Sequence, residues 1–250
     1  MKLSFVIPAF NEEHYLGECL DSIIRETVDK KYDIEIIVVN NASTDRTKSV
    51  ALSRPGVKVV DEPQKGLVRA RRAGFLASTG DLIANIDSDT RLTPHWIETV
   101  FQEFSKSPKL VALSGPFIYY DFSPARNMMV KFFYILGYFG YLINRFVLRM
   151  GSLLQGGNFI IKRSALEQIG GYDLNIDFYG EDSDIARRMH KVGDVKFTFK
   201  LPIYSSGRRL AGEGFLKMGI RYGLNYVWIM FFKKPFTKDY IDVRKKTTDK

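Results

Sequence analysis

An α/β fold with a parallel central sheet flanked by helices is what this sequence predicts, from two observations. Short apolar runs alternate with stretches of helical periodicity through the N-terminal half, the pattern of strand–helix units joined by right-handed crossovers. The run Leu82-Ile83-Ala84 leads directly into Asn85-Ile86-Asp87-Ser88-Asp89, which sets two carboxylates one residue apart where a buried strand ends. Open α/β sheets bind ligands at those strand ends.

The elements follow in order. Leu3 to Ile7 reads as a strand ended by Pro8, since proline cannot continue a central ladder. Asn11 is the expected cap of a helix whose apolar positions are Leu16, Leu20, Ile23 and Ile24. Ile34 to Val39 and Val57 to Val60 are the second and third strands, separated by the turn Asn40-Asn41-Ala42-Ser43-Thr44-Asp45. A helix is expected from Gly66 to about Ser78, then a fourth strand from Leu82 to Ile86. Thr93-Pro94 has the form of a cap and first-turn proline for another helix. Further on, Gln155-Gly156-Gly157-Asn158 precedes a strand at Phe159-Ile160-Ile161. The cluster Glu181-Asp182-Ser183-Asp184 opens a helix with Ile185, Met189 and Val192 on one face.

Composition bounds the class. The 250 residues are 45% hydrophobic and 26% charged, a globular balance with room for a sizeable core. Cys19 is the single cysteine, which excludes an internal disulfide and suits a reducing compartment. Asn11-Glu12-Glu13 interrupts the first apolar run too early for a signal-peptide core. His14, His95 and His190 are not spaced as zinc ligands. Residues 201–250 hold 11 Lys or Arg against 4 Asp or Glu, so +7 of the net +9 sits there. That skew points to an anionic surface, or, from Arg244 to Lys250, to a solvated tail. No zinc finger, aromatic RNP motif or GXXG loop supports nucleic acid as the partner.

The motifs admit two readings each. Asp87 and Asp89 could form an Asx-type turn, or offer hard oxygen ligands to a divalent cation that also touches a diphosphate. Lys65, Arg69, Arg71 and Arg72 lie at the start of one helix, where the dipole favours anions. They could equally be a solvated face; Arg69 and Arg72 share a side, and Arg71 is directed elsewhere, the better candidate for an inward role. Asp182 or Ser183 could simply cap a helix, although three acids in four residues exceed what a cap requires.

V-I-P-A-F-N-E-E, V-V-N-N-A-S-T-D, K-G-x-x-x-A-R-R-A-G and D-S-D, in that order, resemble the successive motifs of the family 2 glycosyltransferases, from about residue 1 to 210. The resemblance implies the Rossmann-like GT-A fold, an α/β fold with a mixed, mostly parallel central sheet flanked by helices, here with C-terminal amphipathic helices. It divides the chain into a nucleotide-sugar-binding half (1–120), an aromatic amphipathic segment (121–150), an acceptor and catalytic-base half (151–212) and a basic aromatic C-terminal segment and tail (213–250). Pro8, Ala9, Phe10 and Glu12 would line the nucleoside pocket, with Asn40, Arg71, Asp87 and Ser88 also on the donor. Asp89, with Asp87, would bind Mg²⁺ or Mn²⁺. The acidic cluster resembles the family's E-D-x-D motif, which makes Asp182 the catalytic base of an inverting displacement, supported by Glu181. Gly157, Asn158, Asp184 and Arg208 would meet the acceptor. UDP-sugars are favoured as donors, with GDP-sugars as the other choice.

Three departures stand out. Asn40 replaces the usual aspartate at the base, and Arg72 replaces the usual asparagine. The loop Tyr204-Ser205-Ser206-Gly207-Arg208-Arg209 lacks the histidine that some relatives give to the metal; Ser206 is a weak candidate ligand, and Arg208 and Arg209 could meet phosphates. Two aromatic runs, Phe132 to Asn144 and Tyr222 to Phe232, carry basic flanks and are too short for a bilayer span of about 20 residues. They are core helices, a homodimer contact, or interfacial helices. The last reading puts the protein at the inner face of the cell membrane, as a cytoplasmic peripheral protein of envelope glycan or glycolipid synthesis with a sugar or polyprenyl-linked acceptor. The rivals are a catalytically silent nucleotide-binding scaffold and a sugar nucleotidyltransferase. The latter's Gly-rich loop is missing after the first strand, as is a dehydrogenase's G-x-G-x-x-G.

Overall fold

β1 (Lys2–Ala9) buries every side chain from Leu3 to Ile7, and it passes through Pro8 rather than ending there. Proline is tolerated because β4 (Leu82–Ile86) pairs with β1 only from Leu3 to Val6. Beyond that point β1 has one neighbour, β2 (Asp33–Asn40), so a missing amide on the other side costs no ladder bond. The computed structural model describes residues 1–28, 32–148, 153–176 and 178–237; the expected tail from Arg244 to Lys250 lies outside them.

Between these strands run α1 (Leu16–Thr27), α2 (Thr47–Leu52), β3 (Val57–Asp61) and α3 (Leu67–Ala77). β5 (Thr90–Leu92), α4 (Trp96–Lys106), β6 (Leu110–Ser114), β7 (Phe117–Tyr119) and α5 (Pro124–Leu142) follow, with a π-helical turn at Ile143–Leu148. β8 (Asn158–Lys162), α6 (Arg163–Gln168), α7 (Glu181–Met189), β9 (Asp194–Phe197), β10 (Ile203–Ser205), α8 (Arg208–Glu213) and α9 (Phe215–Phe232) complete the described chain. A seven-stranded sheet runs β3-β2-β1-β4-β8-β6-β9, and β5-β10-β7 form a small second sheet. β8 is antiparallel to both β4 and β6, while the other pairs in the large sheet are parallel. The sheet is therefore mixed, and strands from residues 1–120 and 151–212 interleave in it.

Alternation along β1 separates two cores. Leu3, Phe5 and Ile7 pack with α1 and α4 on one face, and Val6 packs with α3, α6 and α7 on the other. Two expected caps are displaced. Asn11 adopts a left-handed conformation (φ 53°), and its Oδ1 accepts from Thr44 N (2.8 Å); α1 begins at Leu16 without a side-chain cap. Thr93 spends its hydroxyl on Pro202 O (2.7 Å), and α4 starts at Trp96 behind His95. In both places a tertiary partner outcompetes the local cap.

α3 lies close on β1 and β2 because residue 74 is glycine. A Cβ there would stand 2.3 Å from Val6 Cγ1 and 3.0 Å from Val39 Cγ2. Gly74→Ala is expected to cost about 1–3 kcal/mol by overpacking, read as a lower urea midpoint. Adding Val6→Ala should recover part of the loss.

Candidate functional site

The end of β4 is a turn and also a face of a cavity. Asp87 O accepts from Thr90 N (3.2 Å) and Thr90 Oγ1 (2.7 Å), which closes the turn. That leaves the side chains of Asp87, Ser88 and Asp89 lining a cavity of about 330 Å³. Its opposite wall is the start of α7, with Glu181 and Asp182, and the backbone at Gly156. Pro8, Glu12, Arg71 and Arg208 line it as well, and aromatic Tyr119, Phe178, Tyr179 and Tyr222 complete the walls.

Arg71 joins the two sides. Its guanidinium is 1% exposed, and Nη2 sits 3.4 Å from Asp87 Oδ1 and 3.2 Å from Glu181 Oε1, above the Phe159 ring at 4.9 Å. Its Nε and Nη1 are buried without a hydrogen-bond partner. Gly157 makes the approach possible: with φ +85°, it comes so near Asp87 that a Cβ would meet Oδ2 at 2.2 Å. Thus Gly157 admits the carboxylate, while neighbouring Gly156 faces the cavity.

Asp182 is held as a carboxylate acceptor. Gly156 N donates to its Oδ2 (3.0 Å), and Ser183 N donates to its Oδ1 (2.7 Å). Burial raises its pKa while these bonds lower it. Burial also pushes Glu181 up to about 7, against the attraction of Arg71. Asp89 is driven up to about 7 by burial, despite an ion pair to Arg208 at 3.0 Å. Arg208 Nη2 also binds Glu12 Oε1 at 2.6 Å.

Two expected acceptor contacts are corrected. Asn158 is fully buried: Nδ2 donates to Gly115 O (3.0 Å) and Leu201 O (2.9 Å), and Oδ1 accepts from Trp96 Nε1 (3.2 Å). It braces three segments. Asp184 is buried and paired with Arg187 (2.7 Å) and Arg188 (2.6 Å), and Arg188 in turn donates to Gly171 O. Neither lines the cavity. Ser206 is also committed, donating to Asp121 Oδ2 (2.8 Å).

The residues expected at the nucleoside divide between lining and scaffolding. Pro8 lines the cavity, whereas the Ala9 side chain belongs to the core. Phe10 lies under Lys65 Nζ, 3.8 Å from its ring centroid. Arg72 is exposed. The turn after β2 clasps its neighbours: Ser43 Oγ accepts from Asn11 N (3.1 Å), and Asp45 Oδ2 accepts from Glu13 N (3.1 Å). Asn41 ties down the approach to α3, accepting from Gly66 N (2.8 Å). Asn40 Nδ2 donates to Asp61 Oδ1 (2.8 Å), and Asn40 Oδ1 is buried without a partner. Asp61 and Asp121, both absent from the sequence reading, act through contacts distant in sequence that no local pattern marks.

A hard divalent ion fits the donor set at β4. Asp87 and Asp89 offer only carboxylate oxygens to the cavity, and Asp89 is partly buried with a single guanidinium, that of Arg208, beside it. Among the described residues no three His, Cys, Asp or Glu side chains converge, so the protein would supply part of the shell.

The raised Glu181 pKa predicts a stability slope. Between the ordinary value of 4.5 and about 7 the folded protein holds a proton that the unfolded chain releases, so rising pH weakens the fold across that window. Glu181→Gln should flatten the slope in urea titrations from pH 5 to 7.5; an unchanged slope would remove this assignment.

Comparison with known proteins agrees with this architecture. The sequence profile described as "Glycosyl transferase family 2" matches residues 4–170. Glycosyltransferase GlyA of Streptococcus pneumoniae is 31% identical over 140 residues, which are 54% of this chain and 19% of GlyA. The glucosyl-dolichyl phosphate glucuronosyltransferase of Haloferax volcanii is 25% identical over 97% of this chain and 78% of its own length. Among solved structures, the mannosyltransferase PcManGT of Pyrobaculum calidifontis, in complex with GDP-Man and Mn²⁺, superimposes with a TM-score of 0.63. It is 20% identical and covers 82% of this chain and 56% of that one. Glucosyl-3-phosphoglycerate synthase of Mycobacterium tuberculosis gives 0.60 at 21% identity, covering 92% and 79%. The fold is of the GT-A type, and the chain belongs to glycosyl transferase family 2.

Proposed function

We infer that this chain transfers a sugar from a nucleoside-diphosphate sugar to an acceptor hydroxyl or phosphate with inversion. The observation that carries the reading is one cavity holding Asp87 and Asp89 on one wall and Asp182 on the other, with Arg71 between. The family match ends before Asp182, so the base rests on its geometry and on the motif resemblance.

Asp182 takes the proton of the acceptor hydroxyl while that oxygen bonds to the anomeric carbon and the bond to the diphosphate breaks. The Gly156 and Ser183 amides hold the carboxylate in the cavity through that step. Glu181, fixed by Arg71, supports the base from behind. Mg²⁺ or Mn²⁺ held by Asp89 and Asp87 would supply charge stabilisation for the leaving diphosphate. Relatives with nucleotide sugar and Mn²⁺ bound support that choice. Asn40 supports a base with a ring N–H on its pairing edge. Its amide nitrogen is committed to Asp61, so the oxygen remains to accept. Uracil and guanine carry such a donor, and cytosine does not. UDP is favoured, and GDP is the second choice.

The acceptor end points to a lipid. α5 exposes Met128, Met129, Phe132, Leu136 and Phe139, and α9 exposes Ile220, Leu224, Val227, Phe231 and Phe232. No helix among the described residues is long and apolar enough to cross a membrane. Basic Lys131, Arg145, Lys233 and Lys234 flank these faces, which suits an interfacial position on the inner leaflet. The haloarchaeal relative's dolichyl substrate is consistent with a polyprenyl-linked acceptor. A silent scaffold would have no use for Asp182.

Asp182→Asn should lower transfer by about 10²–10⁴-fold while leaving the affinity for nucleoside diphosphate plus Mn²⁺ nearly unchanged, by calorimetry. Loss of nucleotide binding instead would overturn the base assignment. The acid limb of kcat/KM should inflect above the ordinary Asp value of 3.8, because a raised pKa requires higher pH for the unprotonated base. In co-sedimentation with anionic vesicles, Phe139→Glu with Phe231→Glu should release the protein at low salt. Equal binding by the double variant would remove the membrane face.

A further inference from the structure

Arg208 stands where the carboxylates of the donor wall are most in need of a cation. Its Nη2 lies 2.6 Å from Glu12 Oε1 and 3.0 Å from Asp89 Oδ2, and its guanidinium carbon is 4.5 Å from the Tyr15 ring centroid. The backbone behind it is pinned. Gly207 N donates to Asp121 Oδ1 at 2.7 Å, and a Cβ at Gly207 would meet Phe122 at 2.2 Å. The side chain, not the loop, is the part with freedom to turn. The segments that follow β1 and β4 and the start of α8 are joined through this group.

A divalent ion on Asp89 and the Arg208 guanidinium draw on the same carboxylate, and two cations at that separation repel. A diphosphate relieves the conflict, because it offers the displaced guanidinium a pair of anionic oxygens that match its fork. We propose that Arg208 is the resident cation of the Asp89–Glu12 pair, which a divalent ion displaces effectively only when a donor diphosphate receives the guanidinium. Metal and donor then bind as a coupled pair, each raising the other's affinity by the same factor. The inference rests on the metal-dependent transferase reading and adds to it the residue that sets the coupling.

The test measures Mn²⁺ binding by the loss of its free-ion EPR signal, without nucleotide and with UMP, UDP or GDP. It compares wild type, Arg208→Gln and Arg208→Lys. In wild type, Mn²⁺ alone should bind weakly, and a nucleoside diphosphate should raise its affinity on the order of 5–150-fold, the usual range of such couplings. UMP, one phosphate shorter, should raise it much less. Arg208→Gln should bind Mn²⁺ alone more tightly than wild type, with the coupling reduced toward unity. Arg208→Lys, which keeps the charge without the fork, should fall between. Thermal unfolding gives a second readout: Arg208→Gln should melt lower in metal-free buffer and be restored by Mn²⁺ alone, whereas wild type should respond to Mn²⁺ and diphosphate together. Coupling undiminished in Arg208→Gln, or no gain in affinity for Mn²⁺ alone, would overturn the proposal while leaving the transferase reading intact. Failure of wild type and both variants to bind Mn²⁺ with any nucleoside diphosphate would overturn the metal-dependent reading and this proposal with it.

Discussion

The Arg71 guanidinium is a charge almost wholly removed from water, and the site is arranged around keeping it there. Burial of an ion costs several kcal/mol even after relaxation unless partners compensate. Here the partners are Asp87 from the end of β4 and Glu181 from the start of α7, with the Phe159 face beneath. The arrangement has prerequisites elsewhere. α3 must approach the sheet closely, which Gly74 permits, and the Asp87 carboxylate must pass the β8 approach, which Gly157 permits. A single nitrogen, Nη2, reaches both carboxylates, and Nε and Nη1 stay buried without a partner beside the cavity. The end of β4 and the start of α7 are therefore held to each other by one cation.

That linkage sets the electrostatics of both walls. One guanidinium serves two carboxylates, and Asp182 adds a third negative charge nearby, so burial outweighs attraction at Glu181 and its pKa rises. The same imbalance recurs around Arg208, which serves Glu12 and Asp89. The cavity thus has fewer fixed cations than anions. Such a site gains stability from a bound cation, and it suits a reaction whose leaving group is anionic and must be matched by added positive charge.

Much of this was legible in the sequence, and the failures have physical causes. The strand–helix alternation was visible because both faces of β1, β2 and β4 are buried, which makes nearly continuous apolar runs. The antiparallel insertion of β8 was not, since a run of three apolar residues in a five-residue strand carries no sign of its direction. Asp87, Asp89 and Asp182 stood out as carboxylates directly after an apolar run or a glycine turn. Asn158 was misread because its partners, Trp96, Gly115 and Leu201, are far away in sequence. Asp184 could have been read correctly: Arg187 and Arg188 follow it at the spacing of helix-face ion pairs. The caps at Asn11 and Thr93 failed because tertiary hydrogen bonds claimed those side chains.

α9 turns one face to the cavity and leaves another, apolar face exposed. Tyr222, Asn225 and Tyr226 line the cavity, Ile229 is fully buried, and Val227, Phe231 and Phe232 face outward. The buried side is positioned by α7: a Cβ at Gly180 would strike Ile229 Cγ1 at 2.7 Å, so the helix lies directly against the residue that precedes Glu181 and Asp182. An aromatic run that the sequence left open between core and interface has one buried face and one exposed face, divided by helical periodicity. On the proposed membrane reading, the exposed apolar face cannot seat in lipid without α9 bearing on the turn that carries Asp182. An acceptor with a polar head and a hydrocarbon tail would then follow the same helix, its head in the cavity beside Asp182 and its tail along Val227 and Phe231. The distance from the lipid surface to the reacting oxygen would be set by the width of a single helix rather than by a flexible linker.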